Sequence, residues 1–120
     1  KLLVGAPLGP DTRVLLIDDV ITAGTAVRET LELLKLNGGP KVVGVLIAMN
    51  RMEKNNEGKN ALEEIEKIGR DGEQPGFKVW SIVNLDEVIE ALHGCKVDGQ
   101  VYIDDEMMEK IRKYREEWGV

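Results

Sequence analysis

The chain has 120 residues, 42% of them hydrophobic and 32% charged, a length and balance that suit one folded domain with one hydrophobic core. Its net charge of −6 argues against a nucleic-acid-binding surface or an anionic membrane. It leaves room for a phosphorylated small molecule, which backbone amides hold without net positive charge.

The single cysteine, Cys95, excludes an internal disulfide and fits a reducing compartment, so a cytoplasmic location is expected. No apolar run is long enough to cross a bilayer as a helix. The opening "KLLVGAPLGP" lacks the long apolar core and cleavage site of a signal peptide, and it has no initiating methionine. Lys1 is therefore expected to follow a removed tag, a processing event or a longer parent chain.

In chain order, "RVLLIDDV" (13–20) reads as a buried strand that turns polar at its carboxyl end. From Thr25 the pattern is helical, with Val27, Leu31 and Leu34 on one face, and "NGG" (37–39) stops it. "VVGVLIAM" (42–49) is a second strand, continuously apolar, as expected when both faces are covered. A long polar loop follows (50–60). Helical spacing resumes at Leu62, Ile65 and Ile68 and breaks at "GRDGEQPG" (69–76).

"FKVWSIV" (77–83) is a third strand, and Asn84 with Glu87 resembles a capping box before the apolar face of Leu85, Val88, Ile89 and Leu92. After "HGCKVDGQVYID", Met107, Ile111, Tyr114 and Trp118 mark a last helix, and its aromatics are expected to pack in a core or a dimer interface. The β-α alternation predicts an α/β domain with a parallel sheet. Three strands make a thin sheet, since about five or six are usual, so more are expected from elsewhere.

In such sheets ligands sit beyond the carboxyl ends of the strands. Asp18 and Asp19 lie at one such end, and Thr22, Ala23, Gly24, Thr25 and Ala26 lead into a helix N-terminus. Unpaired amides and the positive end of the helix dipole favour an anion there, and small side chains let a phosphate approach. The loop is neither a P-loop nor a G-x-G-x-x-G turn. The adjacent acids suit a cis-diol such as a ribose, or a water shell on Mg²⁺. For the dipeptide alone, a turn cap plus a solvated carboxylate weighs as much.

"VLLIDDVITAGTA" resembles the phosphoribosyl pyrophosphate signature of the type I phosphoribosyltransferases, and "ITAGTA" is most similar to their orotate branch. "LLVGAPLGPDTRV", "LLKLNGGPKVVGVLIAMNRME", "FKVWSIVNLDEVIEAL" and "KYREEWGV" continue the likeness over nearly all of the chain, but over only the C-terminal half of a family member. The resemblance implies a Rossmann-like, parallel-sheet α/β fold of which residues 1–120 are a single partial domain.

It implies that Asp18 and Asp19 bind the ribose hydroxyls and stabilise charge at the anomeric carbon. Residues Thr22 to Ala26 would hold the 5′-phosphate, with Thr22 also near the base, and Arg51 would contact orotate. Mg²⁺ would arrive with phosphoribosyl pyrophosphate rather than on direct protein ligands. The implied reaction is transfer of phosphoribose to orotate, releasing pyrophosphate, in pyrimidine nucleotide synthesis. Asn50 and Met52 replace the family's usual aspartate and glutamine around the arginine, which bears on the base side more than on the phosphate side.

The family's N-terminal half carries the pyrophosphate loop and a lysine-bearing loop shared across a homodimer, so this chain alone is expected to be inactive. Exposed sheet edges and apolar faces are expected to seek a partner segment, a second copy or aggregation. A non-catalytic nucleotide-binding regulator, or a member acting on another base, is the alternative. A phosphoacceptor receiver domain fails, because Asn50 and Asn84 stand where it needs aspartate and lysine. His93 and Cys95 read as structural, the charges of 110–117 as a solvated helix face, and the 50–60 loop as a mobile loop or a lid.

Overall fold

The computed structural model describes residues 3–72 and 74–120. Its elements are β1 (Arg13–Asp18), α1 (Thr25–Leu36), β2 (Lys41–Asn50), α2 (Ala61–Asp71), β3 (Lys78–Asn84), α3 (Leu85–Leu92), β4 (Lys96–Val97), β5 (Gln100–Val101) and α4 (Asp105–Trp118). β1, β2 and β3 form a parallel sheet in that order, with Asp18 beside Ile47 and Asn50 beside Asn84.

Topology decides where the helices lie. Right-handed crossovers that step in one direction across a sheet land on one face. α1 and α2 accordingly share a face, and the core forms beneath them from Val27, Leu34 and Ile65 against Val42, Val45 and Ile47, closed by Phe77. Gly69 of α2 leaves the space that the Phe77 ring occupies.

The other face is bare among the described residues. Ile17 is 77% exposed and Ile82 70%, and Trp80, paired with Leu46, lies across Gly44. The continuous apolar pattern of β2 is thus only half explained within this chain: Val45 and Ile47 are buried, whereas Ala48, on the opposite side, is exposed. The two connections that join the three strands both lie on the helical face and leave that side uncovered.

Each later helix opens on a side-chain cap. Asn60 accepts from Leu62 and Glu63, Asp104 from Met107, and the Asn84–Glu87 capping box is present in both directions. β4 and β5 form a short hairpin, its Asp98-Gly99 turn in the left-handed conformations that a two-residue hairpin turn requires. α4 buries no residue fully. Tyr114 and Trp118 are each 43% exposed, so the stripe expected to pack in a core or a dimer interface is a half-covered seam within this chain.

The 50–60 segment is more ordered in its connections than its polarity suggests. Asn55 Oδ1 accepts from Glu57 and Lys59, Lys54 bridges Asn60, and Glu53 bridges Gly119 after α4. No helix of the described residues is long and apolar enough to cross a membrane.

Candidate active site at the carboxyl ends of β1 and β2

β1 delivers Asp18 as its last residue, and Asp19 is already off the strand. The Asp19 carbonyl accepts the backbone N–H groups of Ala48 and Met49 at 2.9 and 3.1 Å, which ties the turn to β2. Each carboxylate caps the amide after it: Asp18 Oδ1 accepts from Asp19 at 2.8 Å, and Asp19 Oδ1 accepts from Val20 at 2.7 Å. Both acids are therefore oriented by the turn, and both remain exposed with an oxygen to spare. The Val20 amide, then the Asp18 side chain, hold the Asp19 carboxyl below its ordinary value of 3.8.

The loop after them is pinned from below. Ile21 is part of the core, and Gly24 is buried with φ 77°, ψ 10°, a left-handed conformation that ends the loop and starts α1. Ile65 of α2 fills the space where a side chain at Gly24 would stand. With those two positions held, Thr22, Thr25 and Ala26 are exposed and Ala23 is half-buried.

α1 differs from the other three described helices at its start. It has no side-chain cap and no acid in its first turn, whereas α2, α3 and α4 each have a cap and two acids. Its first-turn amides and positive dipole end are thus left for something else to satisfy.

Arg51 stands apart from that turn, just beyond β2. Asn50 Oδ1 accepts the Met52 N–H at 2.9 Å and Met52 turns the chain with φ 56°. The guanidinium Nη2 meets Glu53 Oε1 at 2.9 Å and donates to the Tyr114 hydroxyl at 3.4 Å. A cleft of about 320 Å³ opens beside it, lined by Met49, Arg51, Glu53, Leu85, Lys110, Ile111 and Tyr114. Partial desolvation of the ring and the Glu53 carboxylate push the Tyr114 hydroxyl above the usual tyrosine range, against a smaller opposing pull from Arg51.

The structure therefore brings Asp18, Asp19 and Thr22 to Ala26 into one contiguous turn, with Arg51 at the end of the neighbouring strand. Glu53 and Tyr114 were missed as its companions. Glu53 is close in sequence, but Tyr114 is separated from Arg51 by 63 positions and carries no local signal. A larger cavity of about 520 Å³, between α1 and α2 near Pro40 and Val42, lies at the opposite end of the sheet and contains none of the predicted site residues.

Among the described residues no group of three or more His, Cys, Asp or Glu side chains gathers to hold a metal ion. The free oxygens of Asp18 and Asp19 are hard donors that fit Mg²⁺ as a minor part of a shell made of ligand and water. His93 is engaged elsewhere, with Nε2 at 2.9 Å from Asp105 Oδ1, and Cys95 is an exposed free thiol.

Residues 4–77 match the phosphoribosyl transferase domain family. An orotate phosphoribosyltransferase of Clostridium acetobutylicum is 41% identical over 119 residues, which are 99% of this chain and 50% of that protein. One from Pseudomonas fluorescens is 43% identical over 118 residues, 98% of this chain and 49% of its own length. The crystal structure of the Francisella tularensis orotate phosphoribosyltransferase aligns with a TM-score of 0.67 at 30% identity, over 98% of this chain and 51% of that one. The chain spans about half the length of the curated relatives it matches. The three-stranded parallel sheet with its Asp18–Ala26 turn is part of a type I phosphoribosyltransferase fold, and the chain belongs to the phosphoribosyltransferase family.

Proposed function

We propose that this chain is the phosphoribosyl-binding part of an orotate phosphoribosyltransferase, which moves phosphoribose from its pyrophosphate to a ring nitrogen of orotate. The observation that carries the reading is the continuous turn from Asp18 to the uncapped start of α1, in which two oriented carboxylates are followed at once by a helix N-terminus without a side-chain cap or first-turn acid. The relatives at about 40% identity support orotate as the acceptor.

In this reading the 5′-phosphate accepts from the first-turn amides of α1 and from the Thr22 and Thr25 hydroxyls. Asp18 and Asp19 accept from the ribose hydroxyls, and their charge favours the cationic character that builds at the anomeric carbon as pyrophosphate departs. Arg51 presents a planar fork to the carboxylate or ring carbonyls of orotate. Mg²⁺ would arrive bound mainly through phosphoribosyl pyrophosphate rather than on direct protein ligands, the free oxygens of Asp18 and Asp19 accepting from its water shell, and would supply charge neutralisation for the leaving group. The whole protein would work in the cytoplasm as a homodimer, its remaining half supplying the grip on pyrophosphate.

The test is a calorimetric titration with orotidine 5′-monophosphate, using adenosine 5′-monophosphate as the control. Distinctly tighter binding of the orotidine nucleotide is expected. Equal binding, at about millimolar strength or roughly 4 kcal/mol, would leave a phosphate cradle without base selectivity and overturn the orotate assignment.

A further inference from the structure

We propose that Tyr114 and Glu53 are positioning residues for Arg51, and that the last turn of α4 with Gly119 and Val120 clamps them in place. The inference rests on the reading of Arg51 as the base-side contact, and it concerns how that contact is made selective.

A guanidinium on a long flexible stem discriminates a planar ligand only if its plane is fixed beforehand. Here both companions take the same nitrogen: Nη2 pairs with Glu53 Oε1 at 2.9 Å and donates to Tyr114 Oη at 3.4 Å. The Nη1 and Nε groups have no protein partner among the described residues, and Arg51 is one of the residues that line the cleft. One edge of the guanidinium is thus held by protein while the other two donor groups are left for a ligand.

The holding groups are themselves fixed by the end of the chain. Lys54 N–H donates to the Trp118 carbonyl at 2.7 Å, and Val120 N–H donates to the Met52 carbonyl at 3.0 Å. Glu53 and Gly119 form an antiparallel bridge between those bonds. Residues 52–54 and 118–120 therefore make a short ladder on which Glu53 is mounted. Tyr114 lies one helical turn before Trp118 and so faces the same side. Arg51, Glu53 and Tyr114 come from two distant stretches of sequence and are joined at this one seam.

The proposal separates a positioning role from a merely structural one. Tyr114→Phe keeps the ring and removes the hydroxyl, and Glu53→Gln keeps the shape and removes the charge. Each variant, and the unaltered chain, is titrated with orotidine 5′-monophosphate and with ribose 5-phosphate, which carries no base. Expected is a three- to tenfold loss for the nucleotide in each variant, with ribose 5-phosphate unchanged within twofold. Equal losses for both ligands would show a structural role and overturn the proposal, as would unchanged nucleotide affinity in both variants. If the unaltered chain itself fails to prefer the orotidine nucleotide over adenosine 5′-monophosphate, the functional reading fails first and takes this inference with it.

Discussion

Ile65 of α2 packs directly beneath Gly24, the left-handed residue from which α1 starts. The loop between β1 and α1 is thus shaped by the core under it as well as by its own small residues. Gly24→Ala adds a methyl group that meets Ile65 and forces a side chain into a left-handed conformation, at a cost of about 1–3 kcal/mol. Chemical denaturation should show that loss, together with weaker ribose 5-phosphate binding. Ile65→Val shortens the opposing side chain, so the double variant should be more stable than the two single losses added together. Strict additivity would mean that the Gly24–Ile65 contact does not set the loop.

The Asp19 carboxyl should titrate below its ordinary value of 3.8, because the Val20 amide and then the Asp18 side chain favour its charged form. The sign follows from linkage: a depressed folded pKa gives stability that is present above the unfolded value and lost as pH falls through the folded one. The affected window therefore lies in acid, below about pH 4, and neutral solutions are outside it. A carboxyl-resolved NMR titration checks this. Asp18→Ala should move the Asp19 midpoint upward without returning it to the ordinary value, since the larger cause is the backbone amide. A midpoint at or above 3.8 in the unaltered chain contradicts the turn geometry.

How much of this was legible in the sequence depends on how local each signal is. β1, α1, β2 and the Asn84–Glu87 capping box follow from apolar spacing and caps within a few residues, and the structure has them within two positions of the expected bounds. The β4–β5 hairpin has no counterpart among the expected elements, although "VDGQV" carries the Asp-Gly signal that a tight hairpin needs. Two-residue strands are too short for alternation to register. The even apolarity of β2 suggested cover on both faces. Periodicity cannot tell which face a chain covers itself, because that depends on the direction of successive crossovers. The Asp18–Ala26 turn was legible as one turn because its residues are contiguous, whereas the Arg51–Tyr114 pairing joins distant segments and leaves no local trace.

The bare sheet face has a consequence in solution. Ile17, Ile82 and Trp80 stand out at 77%, 70% and 43% exposure, an apolar surface that the described residues do not cover. The chain should self-associate with rising concentration and bind an environment-sensitive dye. Ile17→Thr with Ile82→Thr keeps β-branched side chains suited to strands while making that face more polar, and should shift sedimentation toward monomer. A monodisperse, dye-silent monomer before substitution would mean that the face is covered in a way the fold does not show.

The start of α1 allows a test in which stability and binding move in opposite directions. Its first turn has no acid and its N-cap offers no side-chain bond, while Ala26 in that turn is exposed. A carboxylate placed there complements the helix dipole and is worth about 0.3–1 kcal/mol. The same charge sits where a 5′-phosphate would have to bind and repels it. Ala26→Glu should therefore raise the denaturation midpoint modestly and cut ribose 5-phosphate affinity by about tenfold or more, the equivalent of roughly 1.4 kcal/mol. An ordinary surface helix would gain the stability and show no binding to lose. If Ala26→Glu stabilises the fold and leaves phosphate affinity intact, the anion site lies elsewhere and the role of Thr22 to Ala26 is wrong.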